Sequence, residues 1–137
     1  VPRLEEAKTE TRFNRKLEDW AGKNYLEIIN WKITPFGVRG LPDRIIMWPG
    51  RGIMFIEFKA PGQEPRKLQV FIHERLRRLG FIVETHDDEY AALESVKAKI
   101  LATLASDALH VNDGERGWLP NISEAGAGQD GGGTESL

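Results

Sequence analysis

The sequence predicts an α/β domain in which helices flank a mixed central sheet, with elements in the order αβββαβα. Three observations lead there. Apolar residues recur at helical spacing in segments before and among the strands, four short runs are rich in β-branched and aromatic residues, and Pro and Gly punctuate the joins. With 137 residues the chain can bury one core, and two would be cramped.

The first helix is expected over residues 4–21, where Phe13, Leu17 and Trp20 form one apolar stripe among charges and Gly22 follows as a stop. "YLEIINWKI", residues 25–33, reads as a strand, and "TPFGVRGLP" as the loop after it. Strands are expected at about 43–48 and 52–60, the second broken by "APGQEP". From Pro65, suited to a first helical turn, Leu68, Ile72, Leu76 and Leu79 recur as a helical stripe ending at the C-cap candidate Gly80. "FIVETH" gives a fourth strand, and a last helix is expected over 88–104. This order implies an antiparallel meander followed by a crossover through the second helix to a parallel strand.

Residues 1–105 are expected to form the domain. Residues 106–137 hold seven of the 14 glycines and six acids, and read as a Gly-rich acidic tail too polar to offset its ordering entropy. The chain has no cysteine, which excludes a disulfide framework and a thiolate zinc site, and His73, His86 and His110 are too scattered for a zinc motif. No stretch reaches the length of a membrane span, and the charged start "VPRLEEAKTETRF" lacks an apolar signal region, so a cytoplasmic location is expected. The net charge of -2 conceals an uneven distribution. Residues 36–80 carry nine Lys/Arg against four Asp/Glu, whereas residues 81–137 carry three against eleven. A local basic region is what binding to a polyanion requires.

The third strand poses the chemical question. Ile53, Phe55, Glu57 and Lys59 point to one face, and Met54, Ile56 and Phe58 to the other. An acid and a lysine therefore enter one face of a strand built for burial, where a charge needs a partner, a metal or solvent. If Pro49, Gly50 and Arg51 form a three-residue turn, with Gly52 absorbing a bulge, Trp48 faces Gly52 and Asp43 lies opposite Glu57. A two- or four-residue turn would send Asp43 to the other face. Two adjacent carboxylates repel, and a hard divalent cation removes the repulsion.

"GLPD", thirteen residues, "EFK", the "APG" break and Gln69 on the next helix together resemble the PD-(D/E)XK nuclease superfamily, and within it the VRR-NUC (virus-type replication-repair nuclease) family. The resemblance covers roughly residues 6–95 and includes Lys32, on the strand before the "GLPD" loop. It implies a restriction-endonuclease-like core and a metal-dependent phosphodiesterase acting on DNA. On that pattern Asp43, Glu57 and the Phe58 backbone carbonyl ligate Mg²⁺ or Mn²⁺, Lys59 positions or deprotonates the attacking water, and Gln69 orients it. The family also carries a carboxylate on its first helix. Glu10, three residues before Phe13 and seven before Leu17, continues the inward stripe and is the first choice for a second metal site or a water-mediated ligand, with Glu6 second. Lys32, Arg39, Arg44, Arg66 and Lys67 are expected to grip phosphates, which sets affinity without reading bases. Single-domain relatives resemble Holliday-junction resolvases, so a homodimer cutting branched DNA, above all a four-way junction, is expected, in the cytoplasm of a bacterial host if the chain is phage-encoded. Its interface is sought at Trp31 and Phe36 or on the first helix near Trp20. A monomeric flap or nicking endonuclease and a non-catalytic DNA-binding module remain as alternatives.

Overall fold

The structure is a computed structural model that describes residues 2–34 and 37–112. Helix α1 (Pro2–Lys23) buries Thr9, Glu10, Phe13, Leu17 and Ala21, a stripe recurring every three or four residues. Gly22 lies inside the helix instead of ending it. Termination falls to Tyr25, in the left-handed region at φ 54°, where the Tyr25 and Leu26 N–H groups donate to the carbonyls of Gly22 and Ala21 at 3.2 and 2.9 Å.

Strands β1 (Ile29–Lys32), β2 (Arg44–Trp48), β3 (Gly52–Phe58) and β4 (Ile82–His86) form one sheet in the order β1-β2-β3-β4. The first three run antiparallel, and β4 joins β3 parallel, with Met54 opposite Ile82 and Phe58 opposite His86. This is the mixed α/β architecture expected. Between β2 and β3 the register is Trp48 opposite Gly52 through Arg44 opposite Ile56, as the three-residue turn requires. The left-handed positions are Gly50 (φ 90°) and Arg51 (φ 68°), so Gly52 is not the bulge residue. Gly52 is needed because the Trp48 indole lies where its Cβ would be.

Ile46, Trp48, Met54, Ile56 and Phe58 project from one face and close a core with Phe13 and Leu17 of α1 and with Ala92, Val96 and Ile100 of helix α3 (Glu89–Asn112). Trp20 is partly buried, packing against this core beneath the Lys97 ammonium. Helix α3 runs past the expected 88–104 through residues 106–112, and Thr103 on it accepts the Trp48 indole N–H at 3.0 Å. The remainder of the expected tail, with His110's side chain and Phe36, lies outside the described residues. Among the described residues no helix is long and apolar enough to cross a membrane.

Helix α2 (Lys67–Arg78) covers the other face at β4 and starts two residues after Pro65. Its expected apolar stripe is rotated. Leu68 and Leu79 are exposed, and the inward face is Gln69, Ile72, His73 and Leu76. The reason is the charge entering the sheet at Glu57, which rewards polar groups on the helix above it. Gly40, with φ 85°, has no Cβ to strike the Leu68 carbonyl and Ile72, which lets the loop before Asp43 settle on the first turn of α2.

One ionic cluster ties β4 to α3. The Glu84 carboxylate receives Ser95 Oγ at 2.6 Å and Lys99 Nζ at 2.7 Å, and His86 Nε2 lies at 2.8 Å. Burial works against ionisation, but these partners outweigh it and pull the carboxyl down to about 2, below its ordinary 4.5. A depressed folded-state pKa means that the contribution is full above about pH 4.5 and vanishes as pH falls toward 2. Glu84→Gln is expected to cost on the order of 2–3 kcal/mol at pH 6 and much less at pH 3, read by urea denaturation. An equal cost at both values would contradict the cluster's role.

Candidate active site

Asp43 directly precedes β2 and Glu57 sits near the end of β3, so the register of Arg44 opposite Ile56 carries one step further to bring the two acids side by side. The Phe58 N–H donates to Asp43 Oδ2 at 2.8 Å across that step. Lys59, next on the same face as Glu57, places Nζ 3.1 Å from Glu57 Oε2. Gln69 closes the group from α2: its Nε2 donates to the same Glu57 oxygen at 2.8 Å, while its Oε1 accepts the Arg66 N–H that opens the helix, also at 2.8 Å. One side chain thus caps α2 and holds the carboxylate.

Glu57 is 2% exposed, and its Oε1 is buried with no hydrogen-bond partner. Such an atom normally costs a few kcal/mol unless something fills its lone pairs. Burial, and then the neighbouring Asp43 charge, push the Glu57 carboxyl up to about 7 against the pull of Lys59 and Gln69. Burial also raises Asp43, opposed by the Phe58 N–H and by the Lys32 charge. Both carboxyls are raised chiefly by burial, and at Glu57 the Asp43 charge adds to it.

Glu10 reaches the sheet from α1 on the opposite face. Lys32 Nζ lies 3.0 and 3.1 Å from its two oxygens, and Arg44 Nη1 lies 2.7 Å from Oε2. Arg44 also donates through Nε to Asn30 Oδ1 at 2.7 Å and through Nη2 to the Asn30 carbonyl at 3.1 Å, and Asn30 is held by Asn14 at 3.0 Å. Glu6, one turn earlier on α1, accepts the Ala60 N–H at 3.2 Å. It borders a cleft of about 410 Å³ with Arg3, Lys59, Gln63 and Arg66.

A solved structure named "VRR_NUC domain" superposes with a TM-score of 0.57 at 21% identity, covering 68% of this chain and 95% of that one. The chain folds as a VRR-NUC domain. Over 61 residues it is 41% identical to "Putative nuclease p44" of Acyrthosiphon pisum secondary endosymbiont phage 1, a match spanning 44% of this chain and 66% of that relative, just under two thirds of its length. No protein-family model matches the sequence.

On the VRR-NUC fold the expected residues separate into groups. Asp43, Glu57, Lys59 and Gln69 form one connected constellation. Arg66 borders the cleft beside Lys59, while Arg39 and Lys67 are exposed. Arg44 departs from expectation: it is 8% exposed with Nε, Nη1 and Nη2 all engaged inside the protein, so it braces Glu10 and is not free for phosphate. Two residues went unnoticed in the sequence, and a third, His73, was weighed there only as a zinc ligand. Arg3 shares the inward face of α1 with Glu6 and Glu10, at spacings of three and four residues that could have revealed it. Asn30 carried no such signal. His73 is 2% exposed with Nε2 unpartnered, and burial together with the charges of Arg77 and Lys59 lowers its pKa and keeps it neutral.

Whether these groups suit a divalent cation turns on Glu57 Oε1. Among the described residues no three His, Cys, Asp or Glu side chains gather into a metal cage. Two adjacent carboxylates, one with an unpartnered buried oxygen, match instead the habit of Mg²⁺, which takes one or two carboxylates and keeps water for its other positions.

Proposed function

We propose that this chain is a divalent-metal-dependent endonuclease that hydrolyses phosphodiester bonds in branched DNA. The observation that carries the reading is the buried Glu57 carboxylate, beside Asp43, with one oxygen held by Lys59 and Gln69 and the other unpartnered. Asp43, Glu57 and the Phe58 carbonyl would hold Mg²⁺ or Mn²⁺, which when bound neutralises the phosphate and makes hydroxide available near neutral pH. Lys59 contributes an ammonium already fixed on Glu57 Oε2, in reach of the charge that develops on the phosphate oxygens. Gln69 holds Glu57 in one rotamer through Oε2 and leaves Oε1 without a protein partner. Hydrolysis forms one P–O bond from water and breaks one to the leaving sugar oxygen, which takes up a proton. Arg66, Lys67, Arg39 and Lys32 supply phosphate contacts that set position and affinity without reading bases.

Resolving a four-way junction takes two symmetric cuts, and a chain with one such site delivers both as a C₂ dimer. A candidate surface supports this reading. On the face opposite the core, Ile29, Trp31, Ile45, Met47, Ile53 and Phe55 form an uncharged patch in which none is buried and Trp31 is 60% exposed. Trp31→Glu, on the edge strand of that patch, is expected to convert a dimer into a monomer in light scattering and to replace paired cuts by single nicks. A wild-type monomer that nicks efficiently would favour the flap or nicking endonuclease. The catalytic reading is tested by incubating supercoiled plasmid and synthetic four-way junctions with and without Mg²⁺ or Mn²⁺. Cleavage only with metal is expected, and tight binding without cleavage would leave a non-catalytic DNA-binding module.

A further inference from the structure

We infer that Lys32 stands in for a second metal ion, so that the site takes one divalent cation per chain and Lys32 itself presents the second positive charge to the phosphate. The inference rests on the metal-dependent reading above and goes on to say how many ions the site accepts.

Glu10 and Lys32 come to the same strand ends from the α1 face: Lys32 pairs with Arg44, the next residue's N–H (Ile33) donates to the Asp43 carbonyl at 2.7 Å, and the charges of both Lys32 and Glu10 act on the Asp43 carboxyl. A carboxylate on the first helix is a natural ligand for a second ion, but three of its roughly four acceptor directions are already taken by cations. Lys32 Nζ spans both oxygens at 3.0 and 3.1 Å, and Arg44 takes a further direction on Oε2 at 2.7 Å. A divalent ion approaching Glu10 would meet two fixed cations before it met an open oxygen. Glu57 presents the reverse case, a buried oxygen with nothing on it. The first ion therefore has a seat at Glu57 and Asp43, and the second does not have one at Glu10.

The two cations on Glu10 are not equivalent. The Arg44 side chain is 10% exposed, and its Nε, Nη1 and Nη2 all donate within the protein. The Lys32 side chain is 54% exposed, and Glu10 is its only partner among the described residues. An ammonium has three N–H donors, and Glu10 takes two. The third can reach a phosphate oxygen, the contact a second metal ion would otherwise make. Charge balance agrees, since Asp43, Glu57 and Glu10 are matched by Lys59, Lys32 and Arg44, and one divalent ion then provides the excess that a phosphodiester anion requires.

The test counts ions on the full chain without DNA, by calorimetric Mn²⁺ titration and by electron paramagnetic resonance of free Mn²⁺. Wild type is expected to bind one ion per chain. Lys32→Met, which removes the charge from a half-exposed side chain and keeps its length, is expected to bind a second ion at least tenfold more weakly. Lys32→Arg should stay at one, and Lys32→Met combined with Glu10→Gln should return to one. Circular dichroism spectra matching wild type establish that the variants are folded, and Lys32→Ala repeats the count should the Met variant fail to fold. Two ions on wild type, or a single ion on a folded variant lacking the Lys32 charge, would overturn the inference while leaving the metal-dependent nuclease intact. No ion on any form would overturn both.

Discussion

Asp43→Asn is expected to lower Mg²⁺-dependent cleavage by roughly 10³-fold or more while leaving junction binding near the wild-type level. The asparagine keeps an oxygen to accept the Phe58 N–H that Asp43 Oδ2 accepts at 2.8 Å, so the join between the start of β2 and the end of β3 survives. What disappears is one of the two adjacent negative charges that would hold the cation. The fold should be no less stable, because Asp43 is one of the charges that push the Glu57 carboxyl up to about 7 and its removal relieves that repulsion. Lys59→Ala should show the same kinetic loss for a different reason: Glu57 Oε2 keeps Gln69 at 2.8 Å, but the site loses the ammonium nearest the developing charge. Gel-based cleavage and mobility-shift binding on one four-way junction separate the two quantities. Retained metal-dependent cleavage by either purified variant would remove these residues from the active site.

Arg44→Ala is expected to be the most damaging substitution for stability, by about 3 kcal/mol, with the altered DNA affinity of a phosphate contact absent. Arg44 is buried, joins Glu10 to both the side chain and the backbone of Asn30, and so fastens α1 to the β1–β2 edge of the sheet. Its loss leaves Asn30 Oδ1 and one direction of Glu10 Oε2 without their donor, and Lys32 alone on the carboxylate. Arg66→Ala supplies the contrast, since Arg66 is exposed at the cleft and should weaken DNA binding with little change in stability. Urea denaturation alongside salt-dependent DNA binding distinguishes them. Wild-type stability for Arg44→Ala together with a reduced salt slope would show that Arg44 meets phosphate after all.

Much of the sheet was determined by the sequence alone, because its rules are local. A strand alternates faces every residue, so Glu57 and Lys59 had to share a side, and a three-residue turn at Pro49–Arg51 had to put Trp48 against Gly52 and Asp43 toward Glu57. The "GLPD" and "EFK" segments carried the family resemblance for the same reason: the chemistry sits at fixed steps along two paired strands. Gln69, one turn into the next helix, was equally within reach.

Only the tertiary structure decided the rest. The leucine stripe on α2 looked inward by period, yet Leu68 and Leu79 face out, because the helix docks over a charged strand end that selects Gln69 and His73. The stop at Gly22 and the end of α3 depended on which carbonyls and neighbours were available, and a helical pattern carries no record of those. Arg44 read as a surface cation beside a loop, and the structure buries it against Glu10, 34 residues earlier in the chain. An ion pair is decided by packing: whether an arginine meets a phosphate or a carboxylate depends on what folding brings within 3 Å of it, and charge along the sequence contains no such distance.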